Sequence, residues 1–281
     1  MKNLNVFDGN VQEFLDDIIN SKKKSKEDPN FKDRVKILVP NIKALYNSFD
    51  VSHNYNSHIS LNPYGYVNGN KNDLLKLYTS DNSKLVKLKN KLTTILDNRI
   101  MNTCQYCTMT PINSLDHIVP KGEFPEFAVN PKNLLPACSA CNSYKSENWR
   151  ENNKTLFLNL YTDILPQVQY LFVDLNITAD YIETKFELKN INNIDPDLFE
   201  LLESHYRKLY LPNRFSKKSN DIISELKNII ISNKLFLDKT QIVQVVQEKI
   251  NRDKILFGCN YYKSILEETL INNEIFIDSI F

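Results

Sequence analysis

Hydrophobic positions recur at helical spacing along most of the chain. Val11, Phe14, Leu15, Ile18 and Ile19 define a first helix. Val35, Leu38, Ile42, Leu45 and Tyr46 define a second, over Phe31 to Phe49, which Pro40 must kink or divide because its nitrogen has no proton to donate. A polar stretch spotted with aromatics, Ser52 to Asn72, reads as loop. Helix returns over Asp73 to Asn98, with Leu74, Leu75, Tyr78, Leu85, Leu88, Leu92, Ile95 and Leu96 on its buried side. Ser80-Asp81-Asn82-Ser83 breaks it and caps its second half. Farther on, Gln169 to Leu175 and Tyr181 to Leu188 read as strands. The polar link Asn176 to Asp180 makes them an antiparallel hairpin. From Asp195 onward the pattern predicts helices over Pro196 to Tyr210, Ser219 to Ser232, Lys239 to Leu256 and Tyr261 to Ile280.

These elements add up to an α+β, mainly α-helical chain in three parts. Residues 1–98 form a helical region, 99–152 a short cysteine-rich block, and 153–281 a hairpin followed by helices. Composition agrees: among 281 residues, 42% are hydrophobic and 25% charged, as in an ordinary folded protein. Five glycines are few for a sheet-rich fold with many tight turns. No apolar run reaches the length of a membrane span, and Met1-Lys2-Asn3-Leu4-Asn5 lacks the apolar core of a secretory signal. A cytoplasmic location is the expectation, and there cysteines serve as metal ligands more often than as disulfides. The net charge of +1 neither requires nor excludes a nucleic-acid partner. Local lysine clusters (Lys22, Lys23, Lys24 and Lys26; Lys84, Lys87, Lys89 and Lys91; Lys217 and Lys218) read as solvated helix ends and loops.

The cysteine spacing changes the picture. Cys104-Gln-Tyr-Cys107 and Cys138-Ser-Ala-Cys141 are two knuckles, each able to aim two sulfurs at one tetrahedral zinc ion. The segment between them is too short and loop-rich to hold itself, so a structural zinc would staple it. A redox pair would need only one such motif, in a thioredoxin-like context that is absent. Cys259, alone, reads as a small core residue.

Between the knuckles, Asp116-His117 sets a carboxylate beside an imidazole at the end of a short apolar strand. A carboxylate suits a hard cation, and a neutral imidazole can take a proton from water. Asn142 offers a second hard oxygen at the start of a helix. Lys145, three residues on and on the same face, can meet a phosphate held by the same metal. Lys121 is a further candidate for phosphate contact. Trp149 reads as packing, and His53 and His58 fall in what reads as a surface loop. His205, on a predicted helix, has no visible role.

Cys104, Cys107, Asp116, His117, Asn133, Cys138, Cys141, Asn142 and Lys145, in that order, resemble the HNH endonuclease family, whose site is a zinc-stapled ββα-metal finger. The resemblance spans about Met101 to Trp149. It implies a nuclease in which His117 is the general base, Asp116 and Asn142 hold one magnesium or manganese ion, and Asn133 braces the loop that aims the histidine. Asparagine stands at position 142 where the family name promises a last histidine; its amide oxygen can still coordinate magnesium. The run from Asp116 to Pro136 is similar to stand-alone HNH proteins of prokaryotic defence loci, and Gly258-Cys259-Asn260-Tyr261-Tyr262-Lys263 resembles a recurrent ending among them. That similarity implies a DNA-cutting effector of anti-phage defence, with a partner ATPase as in Septu-type systems. Two other expectations stand beside it: a catalytically silent zinc finger that docks nucleic acid or protein, and a nuclease acting on RNA.

Overall fold

The computed structural model describes residues 1–23, 25–95, 99–178 and 180–281. Lys24 of the first lysine cluster, residues 96–98 at the end of the helical stretch predicted over Asp73 to Asn98, and Ala179 of the hairpin link lie outside them. The fold is α+β and mainly helical, with small antiparallel hairpins and the HNH-like block between helical regions. It divides into two compact units. One gathers Asn3–Tyr106 and Thr110–Ile164, the other Met1–Lys2, Cys107–Met109 and Leu165–Phe281.

In the first unit, helices α1 (Val11–Ser21), α2 (Phe31–Asn54), α3 (Asn68–Leu77) and α4 (Ser83–Thr93) precede the short strands β1 (Ser114–His117) and β2 (Leu134–Ala137) and helix α5 (Ser139–Lys145). A two-residue pair, β3 (Arg150–Glu151) and β4 (Lys154–Thr155), follows. Pro40 does not divide α2, which runs unbroken to Asn54. Pro40 faces water, where solvent can take the carbonyl it leaves unbonded, while Val35, Ile42, Tyr46 and Phe49 bury the opposite face. The stretch read as loop from Ser52 to Asn72 is shorter than expected, because α2 extends into it and α3 begins at Asn68. The break at residues 80–83 forms as predicted, with the Asn82 side chain accepting from the Lys84 amide at 2.9 Å.

One hydrophobic core joins these helices to the block that follows. Leu15 and Ile18 of α1, Tyr46 and Phe49 of α2, Leu74 and Leu77 of α3 and Leu88 of α4 pack with Leu115, Phe124, Phe127, Leu134 and Trp149. Each such side chain contributes roughly 1.5–3 kcal/mol on burial, so the four N-terminal helices supply much of the stability that a short ββα segment lacks. Lys22 does not project into solvent as an open cation. Its ammonium donates to the Lys76 carbonyl at 2.9 Å and the Thr79 hydroxyl at 3.1 Å, closing the C-terminal end of α3. Lys84 and Lys91 pair with Asp17 and Asp8.

In the second unit, β5 (Leu171–Ile177) and β6 (Ile182–Leu188) form the expected antiparallel hairpin, with Val173 opposite Phe186. Helices α6 (Pro196–Lys208), α7 (Leu211–Asn233), α8 (Lys239–Phe257), α9 (Tyr262–Ile271) and α10 (Glu274–Asp278) follow. The single helix predicted over Tyr261 to Ile280 is two, because the Asn273 side chain accepts from the Phe276 amide and starts a new helix. The Gly258-Cys259-Asn260-Tyr261-Tyr262 run is structural. Gly258 ends α8 at φ +94°, with its α-carbon against the Met1 carbonyl. Asn260 accepts the Tyr170 and Leu171 amides, and Tyr262 stacks on Phe215 at 4.6 Å. Cys259 is half-exposed rather than a core residue, its thiol facing the Pro166 and Val168 carbonyls.

Candidate active site

The four knuckle cysteines converge. Their sulfurs all lie within 4.8 Å of one another, and all four residues are buried thiols. Local backbone explains this on both sides. The Cys104 amide donates to the Thr110 carbonyl across a turn whose Thr108 sits at φ +55°. Cys138 is the N-cap of α5, its sulfur accepting from the Cys141 amide at 3.4 Å. A tetrahedral zinc ion with bonds of about 2.3 Å sets its sulfurs about 3.8 Å apart, so this thiolate set fits zinc without rearrangement of the chain.

Strands β1 and β2 pair antiparallel, Asp116 opposite Leu135 and His117 opposite Leu134, and α5 follows directly. This is the ββα order. Neighbouring residues on a strand point to opposite faces, and the Asp116 and His117 side chains are held by different groups, while the Lys145 ammonium meets the Asp116 carboxylate and the His117 backbone carbonyl. Asp116 is 2% exposed. The Tyr106 hydroxyl donates to its Oδ2 at 3.3 Å, and the Lys145 ammonium lies 3.3 Å from Oδ2 and 3.5 Å from Oδ1. Burial pushes the Asp116 carboxyl above its ordinary value, against the pull of Lys145, the backbone and Tyr106.

His117 is held from the other side. Its Nε2 lies 2.9 Å from the Ala128 carbonyl, and the Tyr78 ring meets its ring edge to face at 4.7 Å. Burial lowers its pKa to about 3, and the positive charges of Lys121 and Lys145 act in the same direction. The ring is therefore neutral near pH 7. A carbonyl can only accept, so the proton sits on Nε2 and the lone pair on Nδ1. The His117 backbone amide faces the Asp116 carboxylate, but the His117 imidazole is oriented by the Ala128 carbonyl and not by that carboxylate.

Asn133 is fully buried. Its Oδ1 accepts from the Val119 amide at 2.9 Å, and its Nδ2 donates to the Val119 carbonyl at 3.0 Å and the Phe127 carbonyl at 3.1 Å. One side chain thus ties both ends of the loop between β1 and β2, next to the Ala128 carbonyl that holds His117. Asn142 lies on α5, half-buried, one turn before Lys145 and on the same face. Its side-chain amide makes no hydrogen bond with the described residues, so its oxygen stays available. Lys145 sits differently from the expected phosphate-facing cation. It is 2% exposed, and its ammonium is engaged by Asp116 and by the His117 carbonyl.

The other candidates sort out by burial. Trp149 packs on Phe124 and donates to Glu123, as read. His53 and His58 are not in a surface loop. Both are buried against Phe49, with ring centroids 5.5 Å apart. The phenylalanine one turn before His53 was the available signal. His205 is buried in α6. Three groups at the site escaped the sequence reading: the Tyr78 ring, the Tyr106 hydroxyl and the Ala128 backbone. None belongs to a residue type that announces chemistry.

Residues 104–148 match the family described as HNH endonuclease. This block is an HNH domain. The matched segment takes in both knuckles, the strand pair and α5, and leaves the helices on either side outside it. No curated protein and no solved structure matches the chain. Among the described residues, no helix is long and apolar enough to cross a membrane.

Proposed function

We propose that the chain is a metal-dependent endonuclease that hydrolyses phosphodiester bonds of DNA. The observation that carries this reading is the carbonyl-held, neutral imidazole of His117 at the end of β1 in an HNH domain. Its Nδ1 lone pair takes the proton of the attacking water. Asp116 and Asn142 supply hard oxygens for one magnesium or manganese ion. The carboxylate has lone pairs beyond those facing Tyr106 and Lys145, and the amide oxygen of Asn142 is unengaged, so the donor set fits. When bound, such an ion polarises the scissile phosphate and neutralises charge on the departing oxygen. Asn133 keeps the loop, and with it the imidazole, in place. Lys145 acts on Asp116, holding the carboxylate ionised and aimed in a buried setting. Zinc in the four-cysteine cage fixes the strand and helix that carry these groups.

The similarity of the Asp116 to Pro136 run to stand-alone defence nucleases supports a place in prokaryotic anti-phage defence, inside the cell, beside a partner ATPase. The deciding assay incubates the full chain with supercoiled plasmid and with RNA, with and without magnesium. Plasmid nicking that requires the metal is expected. His117→Ala should lower its rate about 10²–10⁴-fold while zinc content stays at one ion per chain. Undiminished nicking by that variant removes His117 as the base, and cleavage of RNA alone replaces the DNA substrate.

A further inference from the structure

We propose that Tyr78, contributed by the helical region upstream of the HNH domain, is a positioning residue of the hydrolytic site, and that Lys121, held over its ring, contacts the substrate phosphate. The inference rests on the nuclease reading above and extends it to Tyr78, outside the matched family segment, and to Lys121, inside that segment but not among the metal ligands.

Tyr78 is the residue at which the chain leaves α3, and that helix end is fixed from two sides. The Tyr78 amide donates to the Leu75 carbonyl, and the Lys22 ammonium binds the Lys76 carbonyl and the Thr79 hydroxyl. From this anchored point the side chain reaches β1 in two ways. Its hydroxyl donates to the Leu115 carbonyl at 2.7 Å, two residues before the histidine, and its ring packs on the imidazole at 4.7 Å. With Nε2 bound to Ala128 and one side of the ring against Tyr78, rotation of the imidazole breaks a hydrogen bond or drives it into the phenol. The same phenol ring carries the Lys121 ammonium at 4.6 Å from its centroid, and Lys121 is half-buried. One aromatic ring therefore sets both the imidazole and a cation beside it. Lys145 cannot supply that outward-facing cation, because its ammonium is consumed inside by Asp116 and a carbonyl. Among the described residues at the site, Lys121 is the cation near His117 whose ammonium is not taken up by a carboxylate or carbonyl, a point charge suited to a phosphate oxygen.

Four variants in the full, zinc-loaded chain test this with supercoiled plasmid. Tyr78→Leu should lower kcat about ten- to a hundred-fold, the scale of a misplaced catalytic group, with KM nearly unchanged. Tyr78→Phe, which keeps the ring, should restore kcat to within about threefold of wild type. Lys121→Ala should raise KM about tenfold with little change in kcat, and Lys121→Arg should restore it. In binding of a short DNA duplex measured without divalent metal, Lys121→Ala should reduce the slope of log affinity against log salt by about 1. An unchanged KM and salt slope overturn the phosphate role.

An activity-free measurement separates this idea from the nuclease reading. With four histidines in the chain, His117→Ala assigns the His117 imidazole nitrogens in a nuclear magnetic resonance spectrum. The wild-type signal should show protonation at Nε2, and Tyr78→Leu should mix or broaden it. An imidazole spectrum indifferent to Tyr78→Leu overturns the positioning role even if cleavage falls. A clear spectral change in a protein that cuts no nucleic acid keeps the positioning role and sinks the nuclease reading.

Discussion

The HNH domain holds two buried clusters a few residues apart, built on opposite principles. The sulfur cage is made of four like groups from two short turns, and each turn delivers its pair by local backbone alone. The candidate site cluster is made of unlike groups. Its carboxylate is clamped by a lysine on α5 and a tyrosine in the first knuckle, its imidazole by a backbone carbonyl in the connecting loop and a phenol from α3. A like set that binds one ion stabilises the fold and tolerates little variation in distance. In an unlike set the Asp116 carboxylate and the His117 imidazole point to different faces and are oriented by different side-chain and loop neighbours, joined only through Lys145 and the His117 backbone.

Breaking the cage should produce the largest effect. Cys138→Ser removes both a ligand and the N-cap of α5, and zinc binding in small modules amounts to about 10–16 kcal/mol. Zinc measured by elemental analysis should fall to near zero and the soluble yield should collapse; a soluble variant melting like wild type would disprove the staple. The carboxylate clamp comes next. Lys145→Met leaves Asp116 buried without its counter-charge, which should cost about 3–5 kcal/mol in denaturant unfolding. Adding Asp116→Asn should recover much of that loss, and a double variant no more stable than the single one would mean that the two groups act independently. Asn133→Ala deletes three side-chain hydrogen bonds in the loop and orphans backbone groups. A loss of about 2–3 kcal/mol is expected, together with slower cleavage as the Ala128 acceptor drifts.

The smallest effect lies outside both clusters. Burial lowers the pKa values of His53 and His58 to about 4, against 6.5 for an ordinary histidine. Between pH 6.5 and 4 the unfolded chain takes up protons that the folded chain refuses. The stability supplied by these rings is therefore complete above pH 6.5 and lost as pH falls through that window. The melting temperature of His58→Leu should change less between pH 7 and 5 than that of wild type at equal zinc content. Parallel pH curves for the two proteins would rule out this source.

Periodicity carried most of the helices, because a helix that buries one face must repeat its apolar residues near every third and fourth position. It failed where polar side chains act on backbone. Asn273 starts a new helix inside an apolar run, and an exposed Pro40 leaves α2 whole because water can serve the carbonyl that proline leaves unbonded. His53 and His58 were misjudged for a related reason. Their neighbours are polar in sequence, but the aromatic that buries them lies one turn back on the same helix face.

What the chain's order of residues determined by itself is the cage and a set of candidates for the site. Cysteines three apart must aim their sulfurs together, and Asp116, His117, Asn133, Asn142 and Lys145 stand at fixed spacing from those knuckles, where a family match also falls. What only the tertiary structure decided is which way each group faces and what holds it. A lysine's ammonium can turn outward to a phosphate or inward to a carboxylate with the same sequence, and burial tips Lys145 inward, because an unpaired Asp116 in the interior would be far costlier than one fewer surface charge. The imidazole's direction likewise depends on Tyr78 and Ala128, contacts set by the packing of α3 and by the course of a loop, which no spacing along the chain encodes.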